Sequence, residues 1–393
     1  MCSQKNNLKQ RLPQKNTQIE NSIWIHTSTV SEVNAIRGLL KKLIEIYNKK
    51  TFLITCLDNE SISAAKEISS KLIVYYFPLN IKHIMTKAFK VFNPTLILLV
   101  EADLPPCLLS YAHKKKIPML ILNAKISDKT YRFYNRFKWF FRKQFSAIKM
   151  ICAQSKIEEN KYKQLKFKNV TNARNLKFFV ELPEYETHVI RHAWNYQFND
   201  FIVTLSLSQP HEELMMKELY YCLKKHIPRL KIIIIPKQLH RISEILKLFE
   251  REEYALFSES NKDKPFLFID EMGVLEQIYA LSDVVLIGGS FYDFGGHNPI
   301  EAMFFGKTIV IGQFYHAFAE SVEKLLSENA IFLSNIENIS DDIIKLYQNS
   351  DERNLLGKNA KSVLSENKDA LIIHKREIEK WIMGNGKEIG VWS

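Results

Sequence analysis

The 393-residue chain is 46% hydrophobic with a formal charge of +12, long enough for two buried cores rather than one. No apolar run approaches the roughly 18 uninterrupted residues of a transmembrane helix, and residues 1–22 read as a polar tail, neither signal peptide nor membrane anchor. Cys2, Cys56, Cys107, Cys152 and Cys222 form no CxxC pair and no metal-like spacing, so reduced thiols of a cytosolic protein are expected, not a disulfide framework.

Short apolar runs then alternate with longer helical patterns. "SIWIHTS", "TFLITCL", "KLIVYYFP", "TLILLVE", "IPMLILNA" and "MICAQS" read as strands. Between the first two lies "SEVNAIRGLLKKLIEIY", with Val33, Ile36, Leu39, Leu40, Leu43, Ile46 and Tyr47 at helical spacing. After a pause near "FFVELPEYETHVIRHAWNYQFND", a second set begins: "FIVTLSL", "KIIIIP", "FLFID", "VVLIGGS", "TIVIG" and "AIFL". Continuous apolar strands alternating with helices predict parallel sheets covered on both faces. The expected fold is therefore α/β, with a domain over 23–182 and a second over 183–393 that includes helices from Asp341 onward. Ligands of such sheets bind beyond the carboxyl ends of the strands, and two such domains favour a cleft between them.

The charge is divided unevenly between these halves. Through Leu182 there are 32 Lys+Arg against 12 Asp+Glu, and after it 23 against 31. An anionic partner for the first half is expected, and nucleic acid, anionic lipid and a phosphorylated substrate all fit. No RNP-like aromatic strand, zinc spacing or helix-turn-helix is present to favour nucleic acid. "KISDKTYRFYNRFKWFFRKQF" mixes Lys and Arg with aromatics, a pattern for a helix at a lipid headgroup layer or an ordinary helix with a solvated basic face.

The stretch "GGSFYDFGGHNPIEAMFFGK", Gly288 to Lys307, holds five of the twelve glycines. It follows the strand "DVVLI". Asn298 as N-cap, Pro299 at N1, Glu301 at N3 and Gly306 as terminator predict a helix starting at Asn298. Glycines let backbone approach a ligand, and a helix start favours an anion, so a phosphate-binding loop is expected. The spacing of Glu301 suits a capping carboxylate as well as a ligand-binding one. His297 suits a loop histidine held by local backbone. The Walker and dinucleotide glycine patterns are absent.

These residues resemble the 3-deoxy-D-manno-octulosonic acid (Kdo) transferases of lipopolysaccharide inner-core synthesis. That family carries GGS, a short loop, GGHN, a Leu/Ile-Glu pair and a later Gly-Lys. The resemblance extends along most of the chain. "IWIHTSTVSEV" is similar to the family's IWIHAxSVGE, "LILLVEADLPP" to its strand ending in ExELWP and "LILNAKISDKT" to its NARxSxxS. "ARNLKF" is similar to its GNLKF, and "MGVLEQIYALSDVVLIGGS" to its MGEL segment leading into GGS.

The resemblance implies a GT-B fold, two Rossmann-like α/β domains facing a cleft, the first acceptor- and membrane-facing and the second nucleotide-sugar-binding. It implies inverting transfer of Kdo from CMP-Kdo to a lipid A precursor (lipid IVA), without cofactor or required metal, by a cytoplasmic protein peripheral on the inner membrane. Glu32 matches the general base; its alternative is to complement the dipole of the helix it opens. The CMP site implied comprises Gly288, Gly289, Ser290, Gly295, Gly296, His297, Asn298 and Glu301. Lys237 stands where the family has an arginine near the phosphate, and Met272 and Gly273 in a loop closing over the nucleotide. On the acceptor side the match implies Ser28, Ser31, Glu101, Asn123, Lys125 and Lys177.

Departures concentrate on the acceptor side. The usual apolar N-terminal anchor is a polar start here, Ser31 replaces a glycine and "DLPP" replaces ELWP. Gln209 takes the place of a histidine, Arg174 of a glycine, and Lys125 and Lys237 of arginines; lysine keeps charge but not the bidentate fork. Two other readings fit a retained scaffold. One is a GT-B enzyme with a different nucleotide sugar, including a UDP-GlcNAc 2-epimerase type. The other is a catalytically weak membrane-surface or RNA-binding protein. Nothing in the sequence sets the oligomeric state or the number of Kdo residues added.

Overall fold

The computed structural model describes residues 11–12, 19–101, 104–137, 139, 145–259 and 263–383. They form two compact units, Met1–Phe179 with Asn367–Ser393, and Val180–Glu366. In the first, β1 (Ser22–His26), β2 (Thr51–Cys56), β3 (Ile73–Tyr76), β4 (Pro94–Val100), β5 (Met119–Ala124), β6 (Ile148–Ala153) and β7 (Val170–Asn172) make one sheet. Its order is β3-β2-β1-β4-β5-β6-β7, and every pairing is parallel.

The unbroken apolar runs follow from burial on both faces. Alternate residues point to opposite sides of a strand. Ile23, Ile25, Phe52, Ile54, Leu96 and Leu98 join one core, while Trp24, Leu53, Ile97 and Leu99 join the other. The helix Val30–Ile46 buries Val33, Ile36, Leu39, Leu40 and Leu43 as its spacing predicts. Ile46, also predicted on that face, is exposed. Tyr47 donates instead from the helix end to Glu379 at 3.0 Å.

The second unit repeats the plan with β8 (Phe201–Ser208), β9 (Leu230–Pro236), β10 (Tyr254–Leu256), β11 (Phe266–Phe268), β12 (Val284–Ile287), β13 (Thr308–Ile311) and β14 (Phe332–Leu333). The order is β10-β11-β9-β8-β12-β13-β14, again all parallel. Strands β7 and β10 were not legible as apolar runs: each is a three-residue edge strand, too short to show a period.

Two expected boundaries differ. The first unit includes part of the predicted polar tail: Ile19 is buried, its N–H bonds Val91 O at 2.8 Å, and β1 begins at Ser22. The helix Ala370–Ile382, expected with the second domain, packs on the first unit. Its Ala370, Leu371, Ile378 and Ile382 share a core with Leu39, Leu43 and Leu120. His374, fully buried, accepts from Asn123 N at 3.0 Å and holds its other ring nitrogen 2.7 Å from Ala370 O. An apolar stripe on a helix docks wherever matching apolar surface lies, whatever its place in the chain.

Ile378 is fully buried in that core. Ile378→Ala should cost about 2–5 kcal/mol in chemical denaturation, and a cost under about 0.5 kcal/mol, the size of a surface change, would show the helix undocked.

Candidate active site

In both sheets the strand order reverses direction at one place, between β1 and β4 in the first and between β8 and β12 in the second. Loops leaving the carboxyl ends of such a strand pair diverge to opposite faces and leave a crevice. The residues singled out from the sequence lie largely at these two places.

In the first unit the chain leaves β1 through Thr27 and Ser28, and Thr29 caps the following helix, its hydroxyl accepting from Glu32 N at 3.3 Å. Glu32 is buried. Its Oε2 accepts from Ser28 N at 2.6 Å and its Oε1 from the Thr29 hydroxyl at 3.3 Å. This is a capping arrangement, so the structural alternative for Glu32 is present. Yet Glu32 also lines a cavity of about 760 Å³ together with Ser28, Glu101, Lys125, His26 and Arg11. A carboxylate fixed by its own helix start at a cavity wall is held in one orientation, which suits proton transfer as well as capping.

Other predicted acceptor residues are placed differently. Glu101, at φ 62, lines the cavity and pairs with Lys177 at 2.6 Å. Asn123 is buried. Its side-chain oxygen accepts from Leu176 N at 2.9 Å while its N–H meets His374, which makes it a tie between β5 and the following elements. Ser31 is half-buried on the first turn of the helix, and the cavity lining does not include it. Arg11 was missed because a lone cation in a polar tail carries no pattern.

In the second unit the glycine stretch leaves β12. Gly288 N donates to Ser206 O at 2.8 Å, and a Cβ there would stand 2.5 Å from Leu207 O. Gly289, Gly295 and Gly296 have φ of 70, 88 and 75, which only glycine adopts freely. Ser290 is buried; its hydroxyl donates to Ile287 O and accepts from Gly312 N at 2.7 Å.

The loop's backbone is not simply open to a phosphate, as expected from the sequence. Glu212, fully buried at the start of the helix Glu212–Leu223, accepts from Gly289 N at 2.8 Å, Phe291 N at 3.3 Å and Gln209 N at 2.9 Å. Gly296 N bonds Gly289 O at 2.7 Å. The N–H groups of Gly288, Gly289, Phe291 and Gly296 are thus paired within the protein. Burial pushes the Glu212 carboxyl up to about 7, against the pull of its three backbone hydrogen bonds. The next residue, Glu213, is 1% exposed and pairs with Arg241 at 3.0 Å. Neither glutamate was singled out in the sequence. The available signal was an adjacent acidic pair directly after a strand, where solvation normally keeps such residues exposed.

His297 is buried beside Gln209, with 3.4 Å between its Nε2 and the amide nitrogen. Desolvation, and then Lys237, hold its pKa down to about 4, against a hydrogen bond to Leu207 backbone. At neutral pH it is an uncharged ring, not a cation for phosphate. Lys237 follows β9, exposed, its N–H on Ser208 O at 3.2 Å. Met272, 86% exposed, and Gly273, at φ 90, stand in the loop after β11.

The expected helix start shifts. The helix is Ile300–Phe304, with Pro299 in the capping position and no side-chain cap bond. Asn298 Oδ1 accepts from Ile300 N at 3.2 Å, the bond that a capping side chain at the expected position makes to the second residue of its helix. Glu301 is exposed. Its carboxyl sits above the usual range through desolvation and then the neighbouring Glu276. Gly306, at φ 65, ends the helix as predicted.

The Glu213–Arg241 pair generates a test. Arg241→Ala leaves a carboxylate buried without its cation and should cost about 3–5 kcal/mol. Replacing both residues by leucine and methionine should recover most of that loss, read by urea denaturation.

Residues 6–180 match the family model of the 3-deoxy-D-manno-octulosonic-acid transferase, and residues 237–363 that of glycosyl transferases group 1. A bifunctional glycosyltransferase/methyltransferase of Fusobacterium nucleatum is 28% identical over 94% of this chain, which spans 58% of that relative's length. The 3-deoxy-D-manno-octulosonic acid transferase of Haemophilus influenzae is 25% identical over 89% of this chain and 84% of its own. A crystal structure titled as a UDP-N-acetylglucosamine 2-epimerase of Listeria monocytogenes shares the fold. It is 11% identical, with a TM-score of 0.51 over 96% of this chain and 100% of that one. With two Rossmann-like α/β units of GT-B fold and both family domains in order, the chain is a glycosyltransferase whose residues 6–180 match the Kdo transferase model and whose residues 237–363 match that of glycosyl transferases group 1.

Proposed function

We propose that the chain transfers Kdo from CMP-Kdo to a hydroxyl of a lipid A precursor of the lipid IVA type, with inversion at the sugar carbon. The observation that supports this most is Glu32: a buried carboxylate oriented by Ser28 N and Thr29 on the wall of a cavity, in the unit matched by the Kdo transferase model. In this reading Glu32 takes the proton of the acceptor hydroxyl as that oxygen bonds to the sugar carbon. The bond from that carbon to the CMP phosphate oxygen breaks, its electron pair staying on the phosphate. Lys237 meets the charge that develops there. Lys125 and Arg11, on the same cavity wall as Glu32, suit an acceptor that carries phosphate. The reaction asks for no metal and no cofactor.

The membrane side of the reading draws on the helix Asp128–Arg136, which buries no residue. Phe133 is 49% and Trp139 74% exposed, beside exposed Lys129, Arg132 and Arg136. Lys138 and residues 140–144 of the predicted helix lie outside the described residues. No helix among the described residues is long and apolar enough to cross a membrane. Aromatics and cations on one surface suit peripheral contact with the anionic cytoplasmic leaflet of an inner membrane.

Transfer is measured by the mass of a tetra-acylated lipid A precursor after incubation with fresh CMP-Kdo. Glu32→Gln keeps an acceptor for Ser28 N but cannot take a proton, and should lower turnover at least about 100-fold with CMP still raising Tm. Retained turnover in that variant would leave Glu32 only its capping task. Changing Lys129, Arg132 and Arg136 to alanine should weaken binding to anionic liposomes about 100-fold at low salt, at roughly 1 kcal/mol per cation. Unchanged partitioning would remove this helix from the membrane contact.

A further inference from the structure

The carboxylate of Glu212 joins two segments far apart in the chain, the turn after β8 at Gln209 and the glycine loop at Gly289 and Phe291. Both oxygens are occupied: Oε2 accepts from Gln209 and Gly289, Oε1 from Phe291. An ionised carboxylate is an acceptor only, and matches three N–H donors; a protonated one turns one oxygen into a donor. The proton would fall on Oε1, whose bond to Phe291 N is the longest of the three at 3.3 Å. Releasing Phe291 N loosens the loop between Gly289 and Gly296, which otherwise closes on itself through Gly296 N and Gly289 O.

The charged surroundings do not compensate Glu212. Glu213 on the same helix is taken by Arg241, and a second acid beside the first raises its pKa further. On the loop side stand the Tyr292 phenol, raised by desolvation and then by Glu218 and Glu212, and the neutral His297 ring. No cation pairs with Glu212 among the described residues' ion pairs. Its charge is held by backbone dipoles alone.

We propose that Glu212 is a positioning residue of the donor site: its ionised carboxylate sets the glycine loop in the conformation that receives the nucleotide, and protonation releases it. The proposal rests on the donor reading given above. It makes nucleotide affinity fall below neutral pH by more than the titration of CMP itself. Linkage gives the sign for stability. A carboxyl raised from 4.5 toward about 7 favours the fold most below 4.5, and that contribution is lost as pH climbs through 7. The neutral Glu212→Gln chain should therefore remain folded at pH 8.

The experiment is titration calorimetry of CMP on the full chain at pH 6 and pH 8, for the wild type and for Glu212→Gln and Glu212→Asp. CMP's own phosphate titration affects all three alike, so the ratio of wild type to variant isolates Glu212. The wild type should bind at least about tenfold tighter than Glu212→Gln at pH 8, with the gap closing at pH 6; Glu212→Asp should keep part of the pH dependence. Hydrogen exchange of residues 288–297 should quicken in Glu212→Gln while β8 stays protected. Equal affinities at both pH values, or exchange quickened equally in β8, would overturn the proposal. A wild type that binds no CMP at either pH would overturn the donor reading itself, and the proposal with it.

Discussion

The constraint on which the rest depends is the all-parallel sheet with a single reversal of strand order. A parallel sheet sends every strand's carboxyl end to the same edge. Where the order reverses, the two loops part to opposite faces of the sheet. In the first unit the cavity lies beside the turn after β1, which carries Ser28 and Glu32, and the end of β4, which carries Glu101. In the second the reversal sets the turn at Gln209 after β8 beside the glycines after β12, and the Glu212 carboxylate bonds amides of both. In the second unit residues 77 and 79 positions apart meet because the topology brings their strand ends together.

The two units keep these crevices in shape by different means. At Glu32 the helix start does it, one carboxylate serving its own cap. At Glu212 the helix start reaches across to another strand's loop and bonds amides there. Each is a buried acid at the opening turn of a helix, where the partial positive charge of the unpaired amides favours an anion. The costs differ. Glu213, one residue further, is buried against Arg241 and the Ser208 hydroxyl, whereas Glu212 has only N–H groups, and burial raises its carboxyl. The glycines belong to the same economy of space. Gly288 is glycine because the Leu207 carbonyl leaves no room for a Cβ, and the three that follow because their φ angles are positive.

Much of the fold was legible in the runs themselves. Strands such as "TLILLV" and "KIIIIP" are apolar at every position because both faces are covered, and helix Val30–Ile46 shows its buried face as a period. What stayed illegible was short or distant. The edge strands β7 and β10 have too few residues for a pattern. The helix Ala370–Ile382 shows an apolar stripe but not its address, which turned out to be the first unit's core. Near the strand-order reversals, the glycine loop stood out by its spacing and Glu32 and Lys237 by resemblance, whereas Lys177 and Asn123 lie on structural partners.

The sequence by itself determined the class of fold, the number of units and the resemblance to the Kdo transferases, since these follow from periodicity and from collinear motifs that local chemistry writes into adjacent residues. Tertiary structure alone decided which groups the loop amides meet, why Glu212 and Glu213 are buried, and where the last helix docks. Those outcomes depend on contacts between segments far apart in the chain, and the energy of a buried charge is set by its surroundings rather than by its neighbours in sequence.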